Sequence, residues 1–181
     1  MSLWLGILSG VLPTNEVIPL WSWDFSTQGN SGWSTSTGGS GGSGTISWSG
    51  SYYTLTAPAT SNAIYAAIIY NFADFANPSN VYLYCDQQKV NSNANIQDAT
   101  LSSNVYAGAD IRKQPLGSTR NILRYGPWSA GTYPTIKGFV WSNVSTQGKG
   151  TCTVRIYRAW VINGSDVSAF ESEQSLPLQV F

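Results

Sequence analysis

Apolar and polar residues alternate in short runs along most of this sequence, a pattern typical of half-buried β-strands. The alternation is clear in WSWDF, where Trp21, Trp23 and Phe25 are predicted to share one buried face. Strands are predicted at 21–25, 45–48, 52–56, 64–70, 80–85, 104–111, 120–125, 135–142 and 151–162. Short strands joined by polar turns predict an all-β protein: an antiparallel β-sandwich of the jelly-roll type with an apolar N-terminal arm.

Three stretches are predicted to connect strands. STSTGGSGGSGT at 34–45 is low in complexity and is predicted to form a flexible loop. The polar segment 86–104 is predicted to wrap the surface as a long loop. The pair Asn163-Gly164 follows the strongest predicted strand and favours a two-residue type I′ hairpin turn.

Both ends of the sequence are apolar. SLWLGILSGVLP at 2–13 has no Lys or Arg near it, which disfavours a secretory signal, and its run of about eleven apolar residues is too short for a membrane span. We predict an N-terminal assembly arm at 1–20, a β-sandwich domain at 21–170 and a C-terminal extension or edge strand at 171–181. Apolar residues of the two ends are predicted to contact other subunits of an assembly: Leu3, Trp4, Leu5, Ile7, Leu8, Val11, Leu12, Leu176, Leu178, Val180 and Phe181.

Charged residues are scarce and balanced in this chain of 181 residues. They make up 10% of the sequence, against about 25% in an average soluble protein, and nine basic residues cancel nine acidic ones. A net charge of zero gives no electrostatic attraction to nucleic acid or to an anionic membrane, so neither is predicted as a partner. Such a surface suits an assembled particle or a module that faces carbohydrate.

The residue types needed for most catalytic sites are missing. Histidine is absent, which excludes Ser-His-Asp triads, Cys-His dyads and histidine-ligated zinc. Cys85 and Cys152 fall on predicted inward strand faces, as two buried thiols or as one disulfide. A glycosidase needs two facing carboxylates, and the one closely spaced pair, Glu171 and Glu173, lies in a predicted exposed tail. No enzyme activity, cofactor or metal site is therefore predicted.

Aromatic residues in predicted loops are the candidates for ligand contact. Trp33, Trp128 and Tyr133 lie in segments rich in Gly, Ser and Pro, where a ring can stack on a sugar or anchor an interface. The arginines of two predicted strands are expected to be isolated, exposed charges: Arg120, Arg124, Arg155 and Arg158.

Two segments together resemble a known family. WDFSTQGNSGW at 23–33, followed much later by the strand CTVRIYRAWVING, is similar to the frame of galactose-binding-like jelly rolls. That family includes many carbohydrate-binding modules and domains of phage tail and capsid-decorating proteins. The resemblance covers roughly residues 21 to 163 and implies a sandwich whose last long strand closes beside the first. Where that strand often carries an acidic residue near a calcium site, this sequence has Arg155 and Arg158.

The overall composition also resembles that of phage virion surface proteins, which implies a structural role. The first hypothesis is a virion protein, a capsid decoration (cement) or tail-associated jelly roll. It would form a trimer, contact a major capsid or tail protein, and be assembled in the host cytoplasm. The alternative is a carbohydrate-binding module or receptor-binding domain, in an extracellular setting, that uses its loop aromatics to bind glycan.

Overall fold

A computed structural model describes residues 16–40, 42–58, 64–76, 80–90, 100–105, 112–115, 119–128, 135–145 and 151–180. In these ranges the chain forms one sheet of seven strands and one of five, which confirms the predicted antiparallel β-sandwich. The strands are β1 (Trp21–Asp24), β2 (Trp33–Gly39), β3 (Thr45–Trp48), β4 (Tyr53–Ala57), β5 (Ile64–Ala76), β6 (Val81–Lys89), β7 (Thr100–Val105), β8 (Arg112–Pro115), β9 (Asn121–Trp128), β10 (Thr135–Ser145), β11 (Cys152–Asn163) and β12 (Leu178–Val180). The helices are α1 (Phe25–Gln28), a 3₁₀ turn (Gly164–Asp166) and α2 (Val167–Glu173).

The seven-stranded sheet runs in the order β12-β9-β6-β11-β4-β3, and β1 also pairs with β11. The five-stranded sheet runs in the order β2-β5-β10-β7-β8. From β4 to β11, successive strands along the chain alternate between the two sheets, as in a jelly roll. The exception among these described strands is β7 and β8, which follow each other in sequence and pair in the same sheet. Parallel pairing is found, among the described strands, where β12 runs beside β9.

The core lies between the sheets and follows the alternation of the central strands. Leu83 and Cys85 on β6 and Val154 and Ile156 on β11 are fully buried, because alternate side chains of a strand face the same side. Cys85 is a free thiol, and burial raises its pKa, so it behaves as a small apolar residue. The side chain of Cys152 lies outside the described residues.

A group of aromatic rings closes one edge of this core. Phe25 is buried in the core, and Trp21 and Trp23 pack against it from the same side while staying partly buried. The three share one face as predicted, although the strand ends at Asp24 and Phe25 begins helix α1. The indole N–H of Trp23 donates a hydrogen bond to the carbonyl of Gly29 at 2.8 Å. The turn after β1 is therefore held against the core by an indole that is half-buried itself.

The prediction of a flexible loop at 34–45 is wrong for most of that segment. Strand β2 pairs with β5 from Trp33 opposite Tyr70 to Gly39 opposite Ile64. Its Ser and Gly residues have weak strand preferences, but pairing with a long neighbour satisfies their backbone groups. The loop predicted at 86–104 also contains strand at both ends, since β6 continues to Lys89 and β7 begins at Thr100. Residues 91–99 lie outside the described part.

The hairpin predicted at Asn163-Gly164 is also wrong. Strand β11 leads instead into the 3₁₀ turn and helix α2, and the Asn163 side chain accepts a hydrogen bond from the Ser165 N–H. Gly164 donates its N–H to the carbonyl oxygen of Asn80 at 2.7 Å. A Cβ at Gly164 would lie 2.6 Å from that same oxygen and would overlap the Asn80 side chain. Close approach to Asn80, rather than a left-handed turn, is the reason for the glycine.

Helix α2 covers part of the outer face of the seven-stranded sheet. Phe170 is buried against Tyr84, Ile122 and Ile162 in a second apolar cluster, which Val17 also contacts. Leu176 and Leu178, predicted to be assembly contacts, pack on this same cluster, so their apolar character is used within the chain. The other predicted contacts lie outside the described residues, except that Val180 pairs with Arg124 in the sheet. No helix in the described ranges is long and apolar enough to cross a membrane.

Gly164→Ala is expected to lower the free energy of unfolding by more than 1 kcal/mol, since the new methyl group meets backbone as well as side chain. The measurement is urea unfolding followed by tryptophan fluorescence. Adding Asn80→Gly should restore part of the loss, because it removes the side chain but not the carbonyl oxygen. A Gly164→Ala protein as stable as the wild type would contradict the packing described.

Candidate functional site

The part of the outer face that α2 leaves uncovered carries an open groove of about 510 Å³. Its floor comes from Tyr157 and Arg158 on β11, with Tyr52 just before β4 and Arg120 just before β9. Asp24 and Ser26, at the junction of β1 and α1, border it together with Ser51 and with the Ser175–Leu176 segment that follows α2. The groove thus brings together residues from five separate segments of the chain.

A β-bulge in β11 gives the groove two neighbouring side chains from one strand. The register with β6 shifts between Ile156 and Arg158, so Tyr157 is the extra residue. Ile156 and Ala159 on either side are both buried in the core. Tyr157 and Arg158 therefore both reach the outer face, which regular alternation would not allow.

The carboxylate of Asp86 organises the floor of the groove. Asp86 is fully buried on β6 and accepts three hydrogen bonds: Arg120 Nε to Oδ1 at 2.8 Å, Arg120 Nη2 to Oδ2 at 2.7 Å, and Arg158 Nε to Oδ2 at 2.7 Å. The hydrogen bond to Asp86 is the main reason that the pKa of Arg120 is raised. Two guanidinium groups are thereby held in fixed planes at the surface.

Aromatic rings lie beside these guanidinium groups. The Tyr52 and Tyr157 rings are 5.1 Å apart at an angle of 49°. The Arg120 guanidinium lies 3.8 Å from the centre of the Tyr157 ring, and that of Arg155 lies 4.9 Å from the centre of the Tyr52 ring. The Tyr157 hydroxyl donates to Gln88 Oε1 at 3.0 Å, which fixes the ring in position. Together they form a surface of ring faces and planar hydrogen-bond donors.

The prediction of isolated arginine charges is therefore wrong. Arg120 and Arg158 share Asp86, and Arg124 forms an ion pair with Glu171 at 2.8 Å. Sequence spacing did not show this because the acidic partners lie on β6 and α2, far away along the chain. Arg155 is also engaged, through the Tyr52 ring.

Helix α2 is anchored beside the groove by the same Glu171. Its Oε1 accepts a hydrogen bond from the Tyr84 hydroxyl at 2.8 Å as well as from Arg124, and the Tyr84 and Phe170 rings are 4.7 Å apart. Glu171 is therefore half-buried and paired rather than part of an exposed tail. Because Ser175 and Leu176 follow α2 directly, this anchor also positions their border of the groove.

Of the aromatic residues predicted to stack on sugars, Trp33 does not line the groove. Trp33 is only 9% exposed and packs in the core, 4.9 Å from the Phe25 ring and 5.1 Å from the Tyr70 ring. It begins a strand rather than lying in a loop, so that prediction is wrong for Trp33. Strand β9 ends at Trp128; its side chain and the whole of Tyr133 lie outside the described residues.

Sequence reasoning missed Tyr52 and Tyr157. In SYYTLT and VRIYRAW both tyrosines look like ordinary strand aromatics, and the bulge that places Arg158 beside Tyr157 on the outer face has no signal in the sequence. Within the described residues no group of three or more His, Cys, Asp or Glu could hold a metal ion.

The sequence matches no protein-family model and no curated protein, but several solved structures are similar to it. The family 11 carbohydrate-binding module of the cellulosomal cellulase Lic26A-Cel5E from Clostridium thermocellum is 14% identical, over 81% of this chain and 95% of that one, with a TM-score of 0.50. A CBM4 structure is 16% identical, over 73% of this chain and 96% of that one, with a TM-score of 0.46. The shared property is the β-sandwich fold.

A third match is the enzymatically active domain of tailspike protein 4 from bacteriophage CBA120. It is 13% identical over 77% of this chain, with a TM-score of 0.47. This chain spans only 20% of that tailspike chain. At such low identities the likeness describes the architecture alone and does not extend to the side chains of the groove.

Asp86→Asn is expected to lower the free energy of unfolding by about 1–3 kcal/mol, because two guanidinium groups lose a charged acceptor. The loss stays below that of a fully buried ion pair, since the Arg120 and Arg158 side chains are 39% and 30% exposed and can be hydrated. Urea unfolding at neutral pH measures it. Asp166→Asn is the control, because Asp166 precedes α2 without a side-chain hydrogen bond that caps the helix, and it should change stability little. Equal effects of the two substitutions would contradict this role of Asp86.

Stability is expected to fall at alkaline pH through the Tyr84 hydroxyl. Burial raises its pKa, and the hydrogen bond to Glu171 adds to the shift. A phenol with a raised pKa in the folded state stabilises the fold fully below its unfolded value of about 10, and this contribution is lost as pH rises further. Tyr84→Phe should cost about 1 kcal/mol at pH 7 and should flatten the decline above about pH 10. The measurement is the free energy of chemical unfolding as a function of pH for both proteins. Parallel curves would contradict this role of the Tyr84 hydroxyl.

Proposed function

We propose that this protein is a carbohydrate-binding module and that the groove over Tyr52, Tyr157, Arg120 and Arg158 holds a segment of glycan. The observation that carries the proposal is the groove floor, where two tyrosine rings lie beside two guanidinium groups locked by one buried carboxylate. Each of these groups is suited to one part of a sugar.

A sugar ring has an apolar face of C–H groups and a rim of hydroxyl groups. Aromatic rings bind the apolar face, and planar groups with several N–H donors bind adjacent hydroxyls in pairs. The groove offers both on one surface, with Ser26, Ser51 and Asp24 at its border as further hydrogen-bonding groups. Asp86 fixes the guanidinium planes before a ligand arrives, which lowers the entropy lost on binding.

The comparison of folds supports the same function. The family 11 module from Clostridium thermocellum is a carbohydrate-binding module, and this chain covers most of it with a TM-score of 0.50. A β-sandwich hosts many functions, so the fold adds weight only because the groove has the matching chemistry.

The state of the carboxylates favours binding over hydrolysis. A glycosidase needs one carboxyl group as a general acid and a second as a base or nucleophile, both reaching the scissile bond. At the groove, Asp86 is buried under two arginines, and Asp24 accepts hydrogen bonds from the Ser26 N–H and hydroxyl at 2.8 and 2.6 Å. Both are engaged in holding this chain together.

The virion role and its trimeric assembly stay predictions. Their main support is the apolar N-terminal segment, and those residues lie outside the described ranges. Leu176 and Leu178, two of the four C-terminal residues predicted to contact other subunits, pack within the chain instead. A phage setting is compatible with glycan binding, because a virion protein can carry such a module on its surface.

A glycan array probed with the full-length protein should show binding, and Tyr157→Ala and Tyr52→Ala should each weaken it about tenfold or more, which corresponds to about 1.4 kcal/mol. Tyr82→Ala is the matched control, since Tyr82 also has an arginine over its ring, Arg124 at 5.4 Å, but lies at the end covered by α2. All variants are first compared by thermal unfolding. Absence of binding to the whole array, or equal losses for Tyr82→Ala and Tyr157→Ala, would overturn the proposal.

A further inference from the structure

The groove contains more hydrogen-bond donors than its own acceptors use. A guanidinium group has five N–H donors. Arg120 donates two of its five N–H groups to Asp86, which leaves three without an acceptor among the described residues. Arg158 donates one to Asp86, which leaves four. The Nε of Arg155, beside Tyr52, is buried and has no hydrogen-bond partner. Water can hydrate the free donors of Arg120 and Arg158, and a ligand that supplies acceptors can replace that water. The buried Arg155 Nε is the donor that most needs an acceptor.

The groove also has more positive than negative charge. Arg120 and Arg158 lie at the groove floor, and Arg155 lies beside it against the Tyr52 ring. These three guanidinium groups stand against two carboxylates, those of Asp24 and Asp86. Asp86 is fully buried beneath its arginines, and Asp24 is engaged with Ser26. The chain as a whole has zero net charge, so this excess of positive charge belongs to the groove and not to the average surface.

We propose that the groove selects an acidic glycan, one whose sugar units carry carboxylates, as uronic acids do. This rests on the proposed carbohydrate-binding function and deepens it by naming the ligand class. A sugar hydroxyl is a donor as well as an acceptor, so it needs an acceptor for its own hydrogen, whereas a carboxylate is an acceptor only. Its two oxygens match the fork of a guanidinium group, and the charged hydrogen bonds are about twice as strong as neutral ones. A donor-rich site with excess positive charge therefore gains most from a carboxylate.

Paired ligands test the proposal. The full-length protein is titrated calorimetrically with oligogalacturonate, alginate oligosaccharides and glucuronoxylan fragments, each beside the same oligosaccharide after its carboxyl groups have been reduced to alcohols. At least one acidic form should bind about tenfold more tightly than its reduced partner, the value of one charged hydrogen bond. That advantage should shrink severalfold as salt rises from about 50 to 500 mM, since screening weakens exposed ion pairs.

Two substitutions separate the arginines from general effects on folding. Arg158→Gln should lower the affinity for the acidic form severalfold more than the affinity for the reduced form, and so remove most of the preference. Arg155→Gln leaves the pairs with Asp86 intact and should lower the preference as well. Arg112→Gln removes an equal charge from β8 in the other sheet and should change neither affinity.

The outcomes distinguish this inference from the proposed function. Equal or tighter binding of the reduced oligosaccharides overturns the acidic class and leaves the carbohydrate-binding module standing. Binding only to neutral or to sulfated glycans on the array has the same two consequences. Failure to bind any glycan overturns both. An acidic preference that survives Arg158→Gln and Arg155→Gln together places the ligand elsewhere and overturns the assignment to this groove.

Discussion

The β-bulge in β11 is the constraint on which the groove depends. This strand lies at the centre of the larger sheet, and at the bulge its partner on one side changes from β4 to β1. One extra residue lets Ile156 and Ala159 both remain in the core while Tyr157 and Arg158 both reach the outer face. Without it, every residue beyond the bulge would exchange faces, and either core packing or groove chemistry would be lost.

The buried carboxylate of Asp86 is costly to desolvate, and its stabilising value comes from geometry more than from net attraction. Removing an anion from water costs several kcal/mol by typical estimates, and two well-placed guanidinium groups offset much of that. What the arrangement supplies is a pair of planar cations whose orientation is set in advance. Such preorganisation suits recognition of a ligand with fixed oxygen positions, because little side-chain entropy remains to be lost on binding.

The C-terminal segment gives the outer face two different environments. Helix α2 and the residues after it cover Tyr84, Ile122 and Ile162, while the rest of the face stays open around Asp86. Glu171, paired with Arg124 and Tyr84, holds this boundary in place. The short strand β12 then adds itself in parallel to β9 and covers what would otherwise be that strand's open edge. The same segment therefore completes the sheet, buries apolar surface and borders the groove.

The alternation of apolar and polar residues was enough to predict the sandwich, most of its strands and the inward set of Trp21, Trp23 and Phe25, because a half-buried strand needs that pattern locally. It did not predict β2, whose Ser- and Gly-rich sequence becomes a strand only beside β5, or the glycine contact of Gly164 with Asn80. Composition pointed to ring contacts with carbohydrate, but Trp33, one of the three rings predicted for it, is core, whereas Tyr52 and Tyr157 line the groove. The pairing of Arg120 and Arg158 with Asp86 was decided by tertiary structure, because it depends on strand register and one bulge, neither of which leaves a periodic signal in the sequence.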